Sequence, residues 1–469
     1  MITEPFSRAV PGSSYRSAEE IGRTAAGPRS LPPLDGHTLH TMPTPVDTVL
    51  ANGLRVIAVR RPSTPMVELR MALPFAGDTY AHAATAEVLA TTLFRGAPGS
   101  GHRQRHTELA CQGISLDASR SARWLNISGS APGHSLGTLL DALTGALTSS
   151  SRDEEDVTRV RARMSRQIAV LRSQPHLIAQ EALFAHCYGE VPGLQEVPLA
   201  AETEQVTAAR VQALHHAMVR PRGAVMVLIG DLDPERAVAD VASTTAAWED
   251  TGTPAPELEL PALRDGIALV ARPGAVQSQI KLIRHTVSRA DDRFAAVSIA
   301  ALAFGGYFSS RLVMNIRETK GLAYRTDAGF QDHLGQLALT VDADTATDST
   351  VQAFGEILAE LSRLVDAPPS VAEIDSAREY TIGMAMLALT SQAGFAGSVL
   401  TAVILGHEPE RVTRFPELLK DVTTDEVTDA AGAFFRPETF SGVVVGDAER
   451  LEAGLRELGG DRLITRQGA

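Results

Sequence analysis

The sequence contains little cysteine, few aromatic residues and no long apolar run. Its 469 residues include two cysteines, Cys111 and Cys187, and 5% aromatic residues. Two cysteines exclude a disulfide-rich scaffold and leave open one disulfide or two free thiols; we expect two free, buried thiols in a reducing compartment. Because no run of about 18 apolar residues occurs, we predict no membrane-spanning helix. The first residues also lack the apolar core of a signal peptide, so we expect a cytoplasmic protein.

Basic residues are outnumbered by acidic ones. The chain has 43 lysines and arginines against 56 aspartates and glutamates, which gives a net charge of −13. Broad nucleic-acid binding requires a basic face, so this composition argues against it. The hydrophobic fraction of 44% is that of an ordinary globular protein. The length corresponds to two to four domains at roughly 100–200 residues each.

The chain consists of two halves with the same order of elements. Each half opens with a turn glycine and a β-branched strand, at Gly53 and at Gly266. Each closes with an apolar strand that ends in glycine, at Gly230 and at Gly446. The offset between the equivalent glycines of the two halves is nearly constant, which indicates the duplication of an α+β unit of roughly 210 residues. Matches of this kind also arise by chance in mixed α/β chains, which is the alternative to duplication.

Helix patterns and composition divide the chain further. Both halves contain a long segment with acidic residues in its first turn and apolar residues at helical spacing, 151–171 and 370–389. A stretch rich in proline and acidic residues separates the halves. We therefore predict an extended N-terminal arm, a first domain, a linker and a second domain, at residues 1–44, 45–249, 250–263 and 264–469.

Two polar residues of the second half stand on either side of a glycine. Ser309 and Ser310 are good helix N-cap types, and Gly321 is a helix stop, so Arg317 is predicted in the last turn of a helix. Tyr324 then begins a strand. A reversal at Gly321 would aim a guanidinium and a phenol at one oxygen, either a peptide carbonyl or the oxyanion formed on attack.

An ordinary structural role remains open for both residues on spacing alone. Arg317 is followed by Glu318, and such neighbours usually form a solvated pair. Tyr324 follows Leu-Ala and would then simply pack.

The segment FGGYFSSRLVMNIRETKGLAYRTDAGF (304–330) resembles the C-terminal-half signature of the pitrilysin/insulinase family of zinc peptidases. The resemblance extends over about residues 45–465. It implies two homologous α+β domains in tandem that form one half of a clamshell-like chamber for peptides. In such proteins the first half carries the zinc motif H-x-x-E-H, and the second half carries the arginine–tyrosine pair. Arg317 and Tyr324 match that pair.

The resemblance also locates the zinc motif, and the motif is degenerate. The five residues before TLFRG (92–96) begin with Glu87 at the first histidine position. Ala90 replaces the general-base glutamate, and Thr91 replaces the second histidine. The third ligand would be a glutamate on a later helix, but residues 157–174 contain no acidic residue. That helix carries Arg159, Arg161, Arg163 and Arg166. Since catalytic zinc needs about three protein ligands, we expect no metal in this chain.

The sequence contains two other histidine pairs that are candidate metal ligands. His102 and His106 are spaced i, i+4 with Glu108 nearby, which suits a metal if the segment is helical. The segment is predicted as a loop that enters a helix, and a solvated pair is the favoured interpretation. His215 and His216 diverge on a helix, so no role is assigned to them.

The resemblance implies a function in a complex. Small members of the family often act as heterodimers, in which one chain carries zinc and the other closes the chamber. We therefore expect this chain to be the zinc-less subunit, with zinc in a homologous H-x-x-E-H partner and with Arg317 and Tyr324 acting on a peptide substrate. A purely structural core-type subunit and a peptide- or leader-binding module are the alternatives.

Overall fold

The computed structural model describes residues 41–95 and 102–466, without the side chains of residues 102–106. The predicted arm therefore lies outside the described residues up to residue 40. Residues 41–45 form no helix or strand.

The first half is built on a six-stranded sheet. Its strands are β1 (Val46–Val49), β2 (Arg55–Arg60), β3 (Met66–Pro74), β4 (Ser115–Arg120), β5 (Trp124–Pro132) and β6 (Val225–Gly230), in the order β1-β2-β6-β3-β5-β4. Its helices are α1 (Tyr80–Thr92), α2 (His102–Cys111), α3 (Leu136–Thr148), α4 (Glu154–Arg172), α5 (Pro175–Cys187), α6 (Ala200–Glu204), α7 (Ala208–Met218) and α8 (Pro234–Thr244).

The second half repeats this plan. Its strands are β7 (Ile267–Ala271), β8 (Gln277–His285), β9 (Ala323–His333), β10 (Gln336–Ala346), β11 (Ser441–Gly446) and β12 (Leu463–Arg466), in the order β12-β7-β11-β8-β10-β9. Its helices are α9 (Phe294–Ala301), α10 (Thr350–Asp366), α11 (Val371–Ala388), α12 (Gln392–Ile404), α13 (Arg411–Asp421), α14 (Thr424–Phe434) and α15 (Ala448–Gly459). Two π-helical segments, Leu302–Gly306 and Val313–Thr319, lie between α9 and β9.

Five strands of each sheet correspond one to one. The order β2-β6-β3-β5-β4 matches β7-β11-β8-β10-β9, and the first pair is parallel in both sheets while the others are antiparallel. The turn glycines Gly53 and Gly266 adopt φ values of 92° and 106°, where a side chain would be strained. The prediction of two tandem α+β domains is confirmed. The sheets differ at one edge, because β1 is antiparallel to β2 whereas β12 is parallel to β7.

One face of each sheet packs on helices of its own half. In the first half Leu69 and Met71 of β3 lie in one buried cluster with Leu139 of α3 and Val157 of α4. The second half has the same arrangement, with residues of β8, β10 and α10 in one cluster. The alternation of apolar residues along β3 explains why this face is buried.

The other face of each sheet is covered by a helix from the opposite half. Phe395, Val399 and Val403 of α12 pack on Ile57 and Val227 of the first sheet. Reciprocally, α5 of the first half packs on the second sheet, with Leu183 and Cys187 against Ile283 and Val443. Since α5 and α12 occupy equivalent places in the two halves, the halves exchange one helix each.

A strained hairpin turn supports the contact of α5. Leu334 and Gly335 connect β9 to β10 with φ values of 53° and 94°. Leucine rarely adopts positive φ. Its side chain is 8% exposed and belongs to the same buried cluster as α5. Burial of this side chain therefore offsets the strain in the turn.

The two cysteines are free, but they differ in exposure. Cys187 is buried in the contact of α5 with the second sheet, as predicted. Cys111 is exposed, and the prediction of two buried thiols is wrong for it. The reason is that the described side chains of α2 lie almost entirely on the surface.

Within residues 41–95 and 102–466, no single helix is long and apolar enough to cross a membrane. Helices α11 and α12 pass that test only as a pair, and they meet at an angle of 110°.

The exchange of α5 and α12 predicts how much the free energy of unfolding falls when their buried leucines are replaced by alanine. Leu183→Ala and Leu400→Ala, both at buried positions of the exchanged helices, should each lower the free energy of unfolding by about 2–5 kcal/mol, since each leaves a cavity between the halves. Leu387→Ala, on the exposed face of α11, is the matched control and should change it by no more than about 0.5 kcal/mol. Urea denaturation measures all three, and equal effects would contradict the packing described.

A second prediction concerns His333, which is buried beside Phe184 and Tyr188 of the first half. Burial lowers the pKa of His333 to about 4. A histidine in the unfolded chain has a pKa of about 6.5. As the pH falls from about 6.5 towards 4, the unfolded chain therefore binds a proton at this residue that the folded chain does not bind. Stability of the folded chain is thus full above a pH of about 6.5 with respect to His333 and falls across this range. Between pH 7 and 5 the loss should amount to about 2 kcal/mol at 1.36 kcal/mol per pH unit.

The comparison that isolates this effect uses glutamine variants. His333→Gln should remove this part of the pH dependence in urea denaturation at the two pH values. His176→Gln, at an exposed position, should leave the wild-type pH dependence intact. A His333→Gln protein with the full wild-type slope would refute the assignment.

Candidate functional site

Arg317 lies in the last turn of a helix, as the sequence predicts, but the helix is π-helical over Val313–Thr319. The amide of Leu322 donates to the carbonyl of Ile316 at 2.8 Å, and Gly321 ends the helix with φ 61°. π-Helical turns are rare in proteins, and those that occur often lie at functional sites.

The guanidinium of Arg317 is held loosely. Its side chain is 48% exposed, and its Nε lies 3.4 Å from a carboxylate oxygen of Glu318. Its Cζ lies 6.0 Å from the ring centre of Phe308, which is itself exposed. An ion pair exposed to water contributes about 0–1 kcal/mol. The solvated pair with Glu318 is therefore present, yet it leaves donors of Arg317 free to turn towards a ligand.

Tyr324 occupies a β-bulge on an edge strand. In the pairing of β9 with β10, Arg325 faces Asp344 and Ala323 faces Thr345, so Tyr324 is the extra residue between them. Bulges re-aim side chains near functional sites. The side chain is 83% exposed, which contradicts the alternative that Tyr324 simply packs.

Side chains of α10 hold the segment that connects Arg317 to Tyr324. The side-chain Nδ2 of Asn315 donates to carboxylate oxygens of Glu360 at 2.6 Å and of Glu356 at 3.0 Å. Lys320 lies 2.5 Å from the other carboxylate oxygen of Glu356. These contacts hold the backbone on both sides of Arg317, while its own side chain is about half exposed to solvent.

Gly305, in the π-helical segment Leu302–Gly306, has a packing role. A Cβ on Gly305 would lie 2.8 Å from the Cβ of Ala328, so only glycine lets this segment approach β9 so closely. This close approach of the π-helical segment helps to position the strand that carries Tyr324.

The degenerate zinc positions lie on α1. Ala90 is buried and offers no ligand atom, while the hydroxyl of Thr91 donates back to the carbonyl of Glu87 at 2.9 Å. Glu87 is paired with an arginine that sequence reasoning did not identify. Nε of Arg120, on β4, lies 2.9 Å from Oε2 of Glu87.

Arg120 is nearly buried and is tied to a second segment. Its Nη2 donates to the carbonyls of Gln195 at 3.2 Å and Glu196 at 3.1 Å. Burial lowers the pKa of Arg120, but a guanidinium remains charged in proteins. The guanidinium of Arg120 thus neutralises Glu87, the one carboxylate among the three degenerate zinc positions. These residues do not fit a zinc ion.

On α4, the helix expected to supply the third ligand, two of the four arginines named above make contacts within the first half. Arg161 donates to the carbonyls of Glu204 and Val206, and Arg159 pairs with Glu155 and Asp156 in the first turn. Arg163 and Arg166 are exposed.

The remaining histidines give no metal site in the described part of the chain. His215 is buried with Nε2 at 3.1 Å from the carbonyl of Ala146, whereas His216 is exposed, so the two diverge as predicted. His102 and His106 lie on α2, which is helical from its first residue rather than a loop, but their side chains are outside the described residues. Among the described side chains, those of residues 41–95 and 107–466, no three of His, Cys, Asp or Glu are grouped to hold a metal.

A row of charges runs along the second sheet beside Tyr324. Lys281 and Asp342 form a buried pair at 2.9 Å, and Arg325 lies 2.8 Å from Asp327. Burial raises the pKa of Asp327. In RTD (325–327) and DAD (342–344) every second residue is charged, and this pattern is the sequence signal that could have revealed the row.

The pair of Arg120 and Glu87 leads to a stability prediction. Arg120→Ala removes contacts to α1 and to residues 195–196 and leaves those groups unpaired, so it should lower the free energy of unfolding by about 1–3 kcal/mol. Arg159→Ala, which breaks an exposed pair, should cost no more than about 1 kcal/mol. Thermal and urea denaturation compare the two variants, and an equal, small loss would contradict a structural role for Arg120.

Comparison with known families gives a match in the part of the chain that contains Arg317 and Tyr324. Residues 205–380 match the family profile described as the peptidase M16 inactive domain. The chain is similar to an uncharacterized zinc protease of Streptomyces coelicolor, with 29% identity over 207 residues, covering 41% of this chain and 44% of the relative. The match thus spans less than half the length of that relative.

Solved structures share the fold over most of the chain. The peptidase M16 inactive domain from Pseudomonas fluorescens superimposes with a TM-score of 0.78 at 20% identity, covering 86% of this chain and 98% of that one. A chain of complex III2 from Candida albicans gives a TM-score of 0.70 at 12% identity, covering 89% of this chain and 100% of that one. At these identities the likeness concerns the fold alone.

The duplicated fold, the arginine–tyrosine segment and these matches lead to one conclusion. Residues 205–380, which contain Arg317 and Tyr324, match the inactive domain of the M16 peptidase family, and the two-domain fold of the chain is that of M16-like peptidase structures.

Proposed function

We propose that this chain is the zinc-less subunit of a heterodimeric metallopeptidase. It closes the chamber of a homologous H-x-x-E-H subunit and presents Arg317 and Tyr324 to the substrate. The observation that carries this proposal is a contrast within one chain. Tyr324 stands exposed on a bulge, whereas Glu87, at a former ligand position, is neutralised by Arg120.

The chemistry assigned to this chain is hydrogen-bond donation. The phenol of Tyr324 and the guanidinium of Arg317 would donate to the scissile carbonyl or to the oxyanion that develops on attack. The partner would supply the zinc-bound water and the general base. Donors placed in advance stabilise charge where it appears, without reorganisation of solvent.

The substrate is proposed to be a peptide in extended form. The edge strand β9, which carries Tyr324, is hydrogen-bonded to β10 on one side, and no described strand pairs with its other side. A peptide added to a sheet edge is held by its backbone, so this mode tolerates varied side chains.

The same proposal includes a cytoplasmic location. The exposed, unpaired thiol of Cys111 supports it, since such thiols persist in reducing compartments.

A purely structural role is the second candidate. The likeness to a chain of complex III2 and the contacts of Arg317 with Glu318 and Phe308 favour it. A peptide- or leader-binding module without catalytic contribution is the third, and the open edge of β9 would serve it equally.

The test combines the purified chain with a homologous H-x-x-E-H subunit from the same organism and measures peptide cleavage. Each protein alone should be inactive, and the mixture should be active. Tyr324→Phe and Arg317→Ala should each lower kcat by about 10²–10³-fold, because each removes one donor to the oxyanion.

Matched controls separate this role from assembly. Tyr380→Phe and Arg456→Ala change exposed residues outside the turn and should leave kcat unchanged. Complex formation, followed by size-exclusion chromatography, should persist in every variant. If only KM rises, the binding-module function is correct; if neither constant changes, the scaffold function is correct.

A further inference from the structure

A pocket of about 520 Å³ lies between α11, α12 and α13, and its lining includes no residue of the segment 317–324. We call it the α12 pocket. One wall is the face of α12 opposite to the one that packs on the first sheet, and it carries Gly394, Gly397, Ser398 and Thr401. A Cβ placed on Gly397 would meet no atom within 4 Å, so this wall borders open space. The pocket can therefore hold a molecule with an apolar body.

The opposite wall is cationic and aromatic. The guanidinium of Arg289 lies 5.2 Å from the ring centre of Phe294, and that of Arg411 lies 5.3 Å from the ring centre of Phe415. The two rings are themselves 5.8 Å apart. Nη2 of Arg411 donates to the carbonyl of Arg289 at 3.2 Å, which ties the two arginines into one unit.

These two arginines lack the usual partners. Among the described residues, neither has a carboxylate within ion-pair distance, and the charges of Asp332 and Asp292 act on Arg289 and Arg411, respectively, only from farther away. His407 also lines the pocket. Burial lowers the pKa of Arg289 and of Arg411. In a chain of net charge −13, two partly buried arginines without carboxylates indicate a ligand that brings its own negative charge.

We propose that the α12 pocket binds a small amphipathic anion, a medium-chain acyl carboxylate, with its carboxylate at Arg289 and Arg411 and its chain along Gly397 and Ser398. Guanidinium groups bind carboxylates through two parallel hydrogen bonds, which gives both strength and orientation. The aromatic rings and the small residues of α12 take the acyl chain, in the usual combination of an apolar pocket with few polar groups. This site is independent of the proposed peptidase function.

The ligand would also stabilise the exchange of helices. It lies between α12, which packs on the first sheet, and α13 and Phe294 of the second half. A ligand that binds only the folded chain raises its stability as its concentration exceeds Kd. Decanoate should therefore raise the Tm of the whole chain.

The experiment is calorimetric titration of the full chain with decanoate, below its micellar concentration. One decanoate should bind per chain. Decanol, with the same chain and no charge, and acetate, with the charge and no chain, should each bind at least about tenfold more weakly, because each lacks half of the recognised chemistry.

Variants then locate the site. Arg289→Gln and Arg411→Gln should each weaken decanoate binding by about tenfold or more, the usual effect of losing one charge-assisted contact. Arg293→Gln is the matched control, because this neighbouring arginine is exposed and already paired with Asp291. Gly397→Leu should fill the pocket and abolish binding, with circular dichroism showing that the fold is retained.

Three results would overturn the proposal. They are the absence of saturable decanoate binding, equal affinity for decanol and decanoate, and unchanged affinity in both arginine variants.

Discussion

Helix α12 of the second half covers the first sheet, and α5 of the first half covers the second sheet. Each sheet has two apolar faces, and its own half covers only one of them. Neither half could leave the other face in water, since the burial of apolar area is the dominant favourable term in folding. The exchange therefore makes the two halves one folding unit and fixes their relative orientation through packed side chains.

This constraint explains how the chain keeps a peptidase-like architecture with degenerate ligand positions. The packing between the halves involves α5, α12 and the two sheets, none of which carries a zinc position. Near Glu87, Arg120 connects β4, α1 and residues 195–196 through one ion pair and two hydrogen bonds. Contacts of the chain's own residues therefore hold these segments together.

Much of the fold and part of the site were predictable from the sequence. The duplication followed from the offsets between Gly53 and Gly266 and between Gly230 and Gly446. Glycines at turns and strand ends are required by the local backbone geometry, so they mark equivalent positions. The positions of Arg317 and Tyr324 followed from a helix stop at Gly321. These features depend on neighbours in sequence, which is why a single chain reveals them.

The rest depends on contacts between distant segments. The apolar residues of α5 and α12 predict buried helices but do not say which sheet they cover. The bulge at Tyr324 is set by its register with β10, and the pair of Arg120 with Glu87 joins a strand to a helix. The exposure of Cys111 likewise depends on where α2 lies. Local patterns carry no information on such pairings.

The central claim is that any metal belongs to a sister subunit and not to this chain. The most direct measurement is the zinc content of the isolated chain and of the assembled pair, determined by mass spectrometry after dialysis against trace zinc. The account predicts substoichiometric zinc in the isolated chain and one zinc ion per heterodimer. One firmly bound zinc ion per isolated chain would contradict it.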